Sequence, residues 1–356
     1  TIIVYGTTGH FVQKLLSLIS KGKLSYAKKL FGDVFIIDEV HTATVDITVL
    51  IGLFKFIFND SADSPKLIFT SATYNADLID PFYTNYPIIK LDESSRFNVD
   101  VIYLSRNEKF NSLKDDPNAL IVKVLEEELG KNKEGHIIVF RPGAYEVLTT
   151  VTYIQSKIRD VSVFPIYSNM PTEEQNQIFS STDKVKIIVG TNIIESSITV
   201  PDVRVVIDDM LEKISCISKT GGFKLLLKNI SISASNQRKG RTGRTMEGIC
   251  YRLCSQDYFE TLDTYATIEI KRVPIHKYIL KLIHSNLDSL DILKISEDSY
   301  RDSLDLLLKY RLIEIEDDNI KITGPGIFVS EMPLSIYSSI LLGNIYDMYI
   351  NNVGTT

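Results

Sequence analysis

The chain has 356 residues, 44% of them hydrophobic and 24% charged, which fits two to three soluble globular domains with real cores. A net charge of −6 excludes bulk electrostatic attraction to nucleic acid, so any such binding must use local cationic patches. The three cysteines, Cys216, Cys250 and Cys254, form no C-x-x-C pair, and no apolar run reaches the roughly 18 residues of a membrane span. Neither a disulfide framework, a zinc site nor a membrane partner is indicated, and the expected location is intracellular, the cytoplasm ahead of the nucleus.

Residues 1–5 are β-branched and apolar and read as a strand broken by Gly6-Thr7-Thr8-Gly9. A chain that opens in mid-strand without a signal peptide reads as a piece of a longer one. Residues 10–19 carry apolar side chains at helical spacing, and the short run 34–37 reads as a central parallel strand ending in Asp38-Glu39-Val40-His41. A helix-length apolar stretch follows over 46–58, then a strand at 67–69 ending in Thr70-Ser71-Ala72-Thr73. Residues 77–83 read as a short helix, with strands at 88–91 and 99–104. The polar stretch 107–118 reads as a linker before a helix at 119–129. A second α/β series follows, with strands at 137–140, 161–167, 186–189, 203–207 and 248–253 and helices at 146–158 and 172–179. From about residue 255 helical periodicity dominates, and 312–315 with 320–322 resembles a β-hairpin. Three helical segments with a hairpin resemble a winged-helix module. The division is 1–106, 107–254 and 255–356.

Polar residues recur just after strand ends, the edge where open parallel sheets bind ligands. Asp38 and Glu39 at such an end can hold Mg²⁺ through water and polarise an attacking water. The stretch Asn236-Gln237-Arg238-Lys239-Gly240-Arg241-Thr242-Gly243-Arg244 packs four cations, two carboxamides and two glycines into nine residues. A helical turn would put Gln237, Arg241 and Arg244 on one face, a set suited to a polyphosphate: planar cations for its oxygens and a carboxamide for a water.

The order and spacing of these motifs resemble the superfamily-2 helicases, the DEAH/RHA branch in particular. The matches are Asp38-Glu39-Val40-His41; Ser71-Ala72-Thr73; Pro165-Ile166-Tyr167-Ser168-Asn169-Met170-Pro171 with Gln175 and Ile178-Phe179; Thr191-Asn192-Ile193-Ile194-Glu195-Ser196-Ser197-Ile198-Thr199; and Gln237 through Arg244. Ile207-Asp208 and Lys219-Thr220-Gly221 also fit. The Glu195-Ser196-Ser197 and Gln237-Arg238-Lys239 variants resemble the poxvirus RNA helicases, which leaves a viral protein or polyprotein product as an expected source.

The resemblance implies two RecA-like parallel-sheet domains, the first N-terminally incomplete, followed by a winged-helix-like α+β module. It implies a nucleic-acid helicase, RNA ahead of DNA, that uses ATP or another NTP with Mg²⁺. Asp38 and Glu39 would bind the metal and activate water. His41 would couple them to the second domain, and Gln237 would position the water. Arg241 and Arg244 would neutralise charge on the transferring phosphoryl, and Ser71 and Thr73 would link domain closure to unwinding. Thr7, Gly9, Ser168 and Thr191 would hold a single strand of RNA by its backbone, which needs no net positive charge. The segment 211–231, with Gly221-Gly222, sits where the family carries a strand-separating hairpin. Protein co-factors are a further expected class of partner.

Two departures stand out. No G-x-x-x-x-G-K-[S/T] occurs in the sequence, and the resemblance places that phosphate loop upstream of Thr7. This stretch alone is therefore expected to bind ATP poorly. At Arg141-Pro142-Gly143 the family carries threonine where this chain has Pro142. Two alternatives stay open: a non-catalytic RNA-binding or assembly protein on a degenerate helicase scaffold, and a DNA helicase.

Overall fold

A computed structural model describes residues 3–58, 64–91, 97–104, 116–131, 134–180, 182–196, 200–217, 223–317 and 319–353. The chain divides into two compact units, one built from residues before Ile88 and after Ala266, the other from residues 88–216 and 223–266.

The first unit begins with α1 (Thr8–Ser20) and α2 (Leu24–Lys29). Strand β1 (Val34–Ile37) then pairs in parallel with β2 (Lys66–Phe69), with α3 (Val45–Phe58) between them in sequence and α4 (Ala76–Ile79) after. Phe35 and Ile37 point into a core with Val12, Leu15, Phe31, Leu50 and Phe54, where Phe31 packs edge-on against Phe35, Phe54 and Phe58. The run 34–37 is less enclosed than a central strand: Val34 and Ile36 are exposed, because among the described residues only β2 pairs with it and only one face is packed. Strands are expected at 1–5 and 88–91, but among the described residues none forms at 3–5 or 88–91. Ile3, Val4 and Tyr5 are solvent-exposed coil, as are Ile88, Ile89 and Leu91, and β-propensity without a pairing partner makes no strand.

The second unit holds a six-stranded, all-parallel sheet. Its strands are β3 (Val99–Tyr103), β4 (His136–Phe140), β5 (Val161–Ile166), β6 (Val185–Gly190), β7 (Val203–Asp208) and β10 (Gly248–Arg252), in the order β3-β10-β7-β4-β6-β5. Thus β3, left with the first domain by a boundary at 106/107, is the edge strand of this sheet. Alternation places Ile137, Val139, Ile187, Val189, Val205 and Ile207 on one face, under α5 (Pro117–Leu129) and α6 (Ala144–Lys157). Ile138, Phe140, Ile188 and Val206 pack on the other with Ile178 and Ile194. The remaining helices of this unit are α7 (Thr172–Gln175), α8 (Ile193–Ser196), α9 (Ile232–Lys239) and α10 (Gln256–Glu260). Strands β8 (Leu211–Ile217) and β9 (Phe223–Asn229) pair as a two-stranded sheet. The tip with Gly221-Gly222 lies outside the described residues, as do Ser197–Thr199 and most of the 107–118 linker.

The carboxy-terminal stretch returns to the first unit. It runs through α11 (His276–His284), α12 (Ser289–Leu293), α13 (Glu297–Lys309), an antiparallel hairpin of β11 (Ile313–Glu316) and β12 (Asn319–Ile322), α14 (Gly324–Glu331) and α15 (Ile336–Val353). Ile279, Leu282, Ile292, Leu307 and Leu312 join the same core as Leu50 and Leu53. Five helices and one β-hairpin thus make up the described part of this stretch, which the sequence reads as helical periodicity with a hairpin. Among the described residues no helix is long and apolar enough to cross a membrane.

Candidate functional site

In the first unit, β1 and β2 end side by side and each hands a motif to the same edge. Asp38 Oδ1 accepts hydrogen bonds from the Glu39 amide at 2.9 Å and from the Thr70 hydroxyl. The chain then turns sharply. Glu39 (φ 55°) and Ala43 (φ 46°) are both left-handed, and between them residues 40–42 make one tight turn. Non-glycine residues in that region are strained and need the surroundings to hold them. Here the Val40 amide donates to Thr70 O at 3.1 Å and Thr42 Oγ1 to Glu39 O at 2.9 Å. His41 is the junction. Its Nε2 lies 3.0 Å from Glu39 Oε2, and its Nδ1 accepts from the Ala72 amide at 3.4 Å. That pair of partners suits the neutral Nε2–H tautomer, which donates to the carboxylate. Ser71 and Thr73 flank Ala72: the Ser71 hydroxyl donates to Thr73 O and accepts from the Thr73 amide. The structure thus brings Asp38, Glu39, His41, Ser71 and Thr73 into one connected network.

Asp38 and Glu39 are exposed, and no group of three or more His, Cys, Asp or Glu among the described residues could cage a metal. Two adjacent carboxylates with no further protein ligand fit Mg²⁺, which keeps several waters and completes its shell with phosphate oxygens. Thr7 and Gly9 open α1. The Thr7 hydroxyl caps it by accepting from the His10 amide at 3.3 Å, and a Cβ on Gly9 would lie 2.7 Å from Asp46 Oδ2.

In the second unit Ser168 is exposed in the turn after β5, and Thr191 is buried just after β6, its amide donating to Ile166 O. Arg141, Thr191 and Asp208 end or follow three neighbouring strands, β4, β6 and β7, where the strand order reverses. Such a reversal is the usual ligand crevice of an open parallel sheet.

The predicted single helical face of Gln237, Arg241 and Arg244 needs correction. Helix α9 ends at Lys239, a tightened turn adds an Arg241 N to Arg238 O bond of 3.1 Å, and Gly243 (φ 78°) reverses the chain. Gln237 and Arg241 keep helical spacing, while Arg244 lies past the reversal with its Nε donating to Gly240 O at 3.0 Å. The turn is anchored by buried Thr242, whose hydroxyl bonds Val203 O and Arg204 O at 2.7 and 3.1 Å.

Sequence reading missed the cation between them. Arg238 is 1% exposed and donates from Nε to Glu195 Oε1 (2.7 Å), from Nη1 to Asp208 Oδ1 (2.8 Å) and from Nη2 to Leu211 O (3.2 Å), over the Phe140 ring. Asp209 lies 3.7 Å from its Nη1 and takes a bond from Arg141 Nη1 at 3.2 Å. Burial opposes charge on Arg238, but Asp208, Glu195 and Asp209 outweigh it and hold the guanidinium charged. Asp209 receives only part of that cation, so burial prevails and pushes its carboxyl from 3.8 up to about 6, against Arg141 and Arg238. Burial likewise raises Glu195.

A carboxyl raised in the folded state contributes stability that is full below about pH 3.8 and is lost as pH rises through about 6. Relative to an Asp209→Asn variant, the natural protein should therefore lose unfolding free energy between about pH 4 and 6. Urea titrations of both proteins across that range check this, and a pH-independent difference would contradict it.

Residues 120–246 match the helicase conserved C-terminal domain family. The ATP-dependent RNA helicase HrpA of Borreliella burgdorferi is 34% identical over 276 residues, covering 75% of this chain and 32% of that protein. HrpA of Escherichia coli is 33% identical over 70% of the chain and 19% of its own length, and human ATP-dependent RNA helicase DHX33 is 28% identical over 84% and 44%. The chain spans less than half the length of these curated relatives. Among solved structures, the E. coli DExH-box NTPase HrpB matches with a TM-score of 0.76 at 21% identity, covering 92% of this chain and 40% of that one. The relatives are bacterial and human, which gives the expectation of a viral source no support.

Proposed function

The chain belongs to the DEAH/RHA-like branch of the superfamily-2 helicases, and from that premise we propose that it forms most of the motor core of an ATP-dependent RNA helicase. The observation that carries this reading is the Glu39–His41–Ala72 connection, which ties a carboxylate suited to water activation to the Ser71–Thr73 segment.

Asp38 and Glu39 would hold Mg²⁺ together with phosphate oxygens, and the ion, when bound, offsets charge on those oxygens. Glu39 would accept the proton of the attacking water, kept in register by the His41 Nε2–H bond and by its left-handed backbone. His41, with Nδ1 on the Ala72 amide, is held in one orientation, so a shift of Ser71-Ala72-Thr73 would move Glu39. That is a direct route between strand grip and hydrolysis. From the second unit we assign Gln237 to positioning the water and Arg241 and Arg244 to neutralising developing phosphoryl charge. Thr7, Gly9, Ser168 and Thr191 are assigned to the RNA backbone, with hydroxyls and amides rather than a basic surface.

The test is nucleoside-triphosphate hydrolysis by the full-length protein with single-stranded RNA, single-stranded DNA or neither. RNA should stimulate the rate at least about tenfold, and affinity should fall only shallowly with salt because few Lys/Arg–phosphate pairs are involved. Equal stimulation by DNA would replace the RNA assignment with a general nucleic-acid motor. Absence of hydrolysis under all three conditions would favour the assembly-scaffold alternative and sink the motor reading.

A further inference from the structure

The strained Glu39–Ala43 loop is gripped at its far end by a residue more than two hundred positions away. Glu269, half-buried in the single turn of residues 269–271, accepts the Val45 amide on Oε2 at 2.9 Å, while its own amide donates to Ala43 O at 3.0 Å. One residue thus holds both sides of the left-handed Ala43 and caps the first turn of α3 with a carboxylate. A negative cap there is favoured by the free amides and the helix dipole. Two more contacts fix the same helix to the carboxy-terminal stretch. The Tyr278 hydroxyl donates to Asp46 Oδ1 at 2.9 Å, and Gly52 lies so close to α12 that a Cβ would meet Ile292 O at 2.1 Å. All of these groups belong to the first unit.

We propose that Glu269 is a positioning residue for hydrolysis: it locks the Ala43 turn and so sets where Glu39 and His41 stand. The inference rests on the hydrolase reading above. Glu39 and Ala43 occupy a conformation that ordinary residues leave readily, and the segment between them makes only one turn. Releasing Ala43 and Val45 lets the loop relax toward common backbone angles. Relaxation of that kind moves the Glu39 carboxylate, and misplacement by about 1 Å can cost up to about 100-fold in rate. Glu269 touches neither reacting group, so its removal should change turnover rather than nucleotide binding.

The test compares Glu269→Ala and Glu269→Gln in the full-length protein by RNA-stimulated ATP hydrolysis and by amide hydrogen exchange over residues 39–46 without nucleotide. Glu269→Ala should lower kcat about tenfold with KM for ATP within about twofold, and speed exchange over 39–46 about tenfold. Glu269→Gln keeps an acceptor oxygen and should return both to within about threefold of the natural protein. Unchanged exchange over 39–46 in Glu269→Ala would overturn the clamp whatever the activity. Equal loss of kcat in both variants with a lowered unfolding midpoint would make Glu269 merely structural and overturn the positioning role. Should Glu269→Ala not fold, Tyr278→Phe removes a single hydroxyl and should speed exchange over 39–46 about threefold, and no change there would count against the inference. If the natural protein hydrolyses nothing, the hydrolase reading fails by itself, and the exchange data still judge the clamp.

Discussion

Glu39→Gln in the full-length protein should lower RNA-stimulated ATP hydrolysis by about 10²–10⁴-fold while leaving RNA affinity within about twofold. The substitution changes one property. Glutamine fills the same volume, and its Oε1 can still accept from the His41 Nε2–H that now lies 3.0 Å from the carboxylate. The backbone is set by other contacts: the Glu39 amide on Asp38 Oδ1 at 2.9 Å and the Val40 amide on Thr70 O at 3.1 Å. What is lost is a group that can take a proton from water at neutral pH, since a carboxamide oxygen is far too weak a base. A loss confined to kcat, with the unfolding midpoint unmoved, identifies that chemistry. A decrease below about tenfold would remove Glu39 from the role of base.

This carboxylate pair was legible because it closes a β-strand, and the buried strands of the second unit were legible for a related reason. Runs such as 137–140 and 187–189 are apolar on every position because both sheet faces are covered, and they lie in β4 and β6. The same rule misled at 34–37, where every residue is apolar yet Val34 and Ile36 are exposed. Composition reports suitability for burial and says nothing of which neighbour supplies it. The order of the motifs was legible, but the bonds that join them were not. His41 to Ala72 spans 31 positions and Glu269 to Val45 spans 224, and neither contact leaves a local pattern. Arg238 was hidden in another way. It sits among Arg241, Lys239 and Arg244 in a run that reads as uniformly solvent- or ligand-facing. Its partners Glu195 and Asp208 are 43 and 30 positions away. The signal that could have found it is Asp208-Asp209 directly after the apolar run 203–207, two carboxylates where a buried strand ends and a cation is therefore required.

Arg238→Met should destabilise the second unit by about 3–5 kcal/mol, a large part of the roughly 5–15 kcal/mol that holds a domain folded. Methionine keeps the apolar stem but ends near the position of Nε, so a small void adds to the cost, whose larger part is electrostatic. That part comes from Asp208, fully buried, and Glu195 beside it, which lose their main cation, and from buried Asp209, which loses the second of its two. Arg141 reaches only Asp209, and the Ser235 hydroxyl on Asp208 Oδ2 at 2.9 Å is too weak a replacement for a guanidinium. Part of the penalty can be relieved by protonation, so the loss should be smaller at pH 5 than at pH 8, the direction expected when unpaired carboxyls take up protons. Arg238→Lys separates charge from shape. It restores a cation but not the planar fork that serves Glu195, Asp208 and Leu211 O at once, and should recover only part of the stability. Urea unfolding of the three proteins at the two pH values measures all of this, and a loss under about 1 kcal/mol in Arg238→Met at pH 8 would mean that the buried carboxylates are compensated elsewhere. Because Gln237 and Arg241 flank this anchor along the chain, such a variant should also lose hydrolysis beyond its loss of folded protein. The arginine buried beneath the turn would then be what keeps its outward neighbours in place.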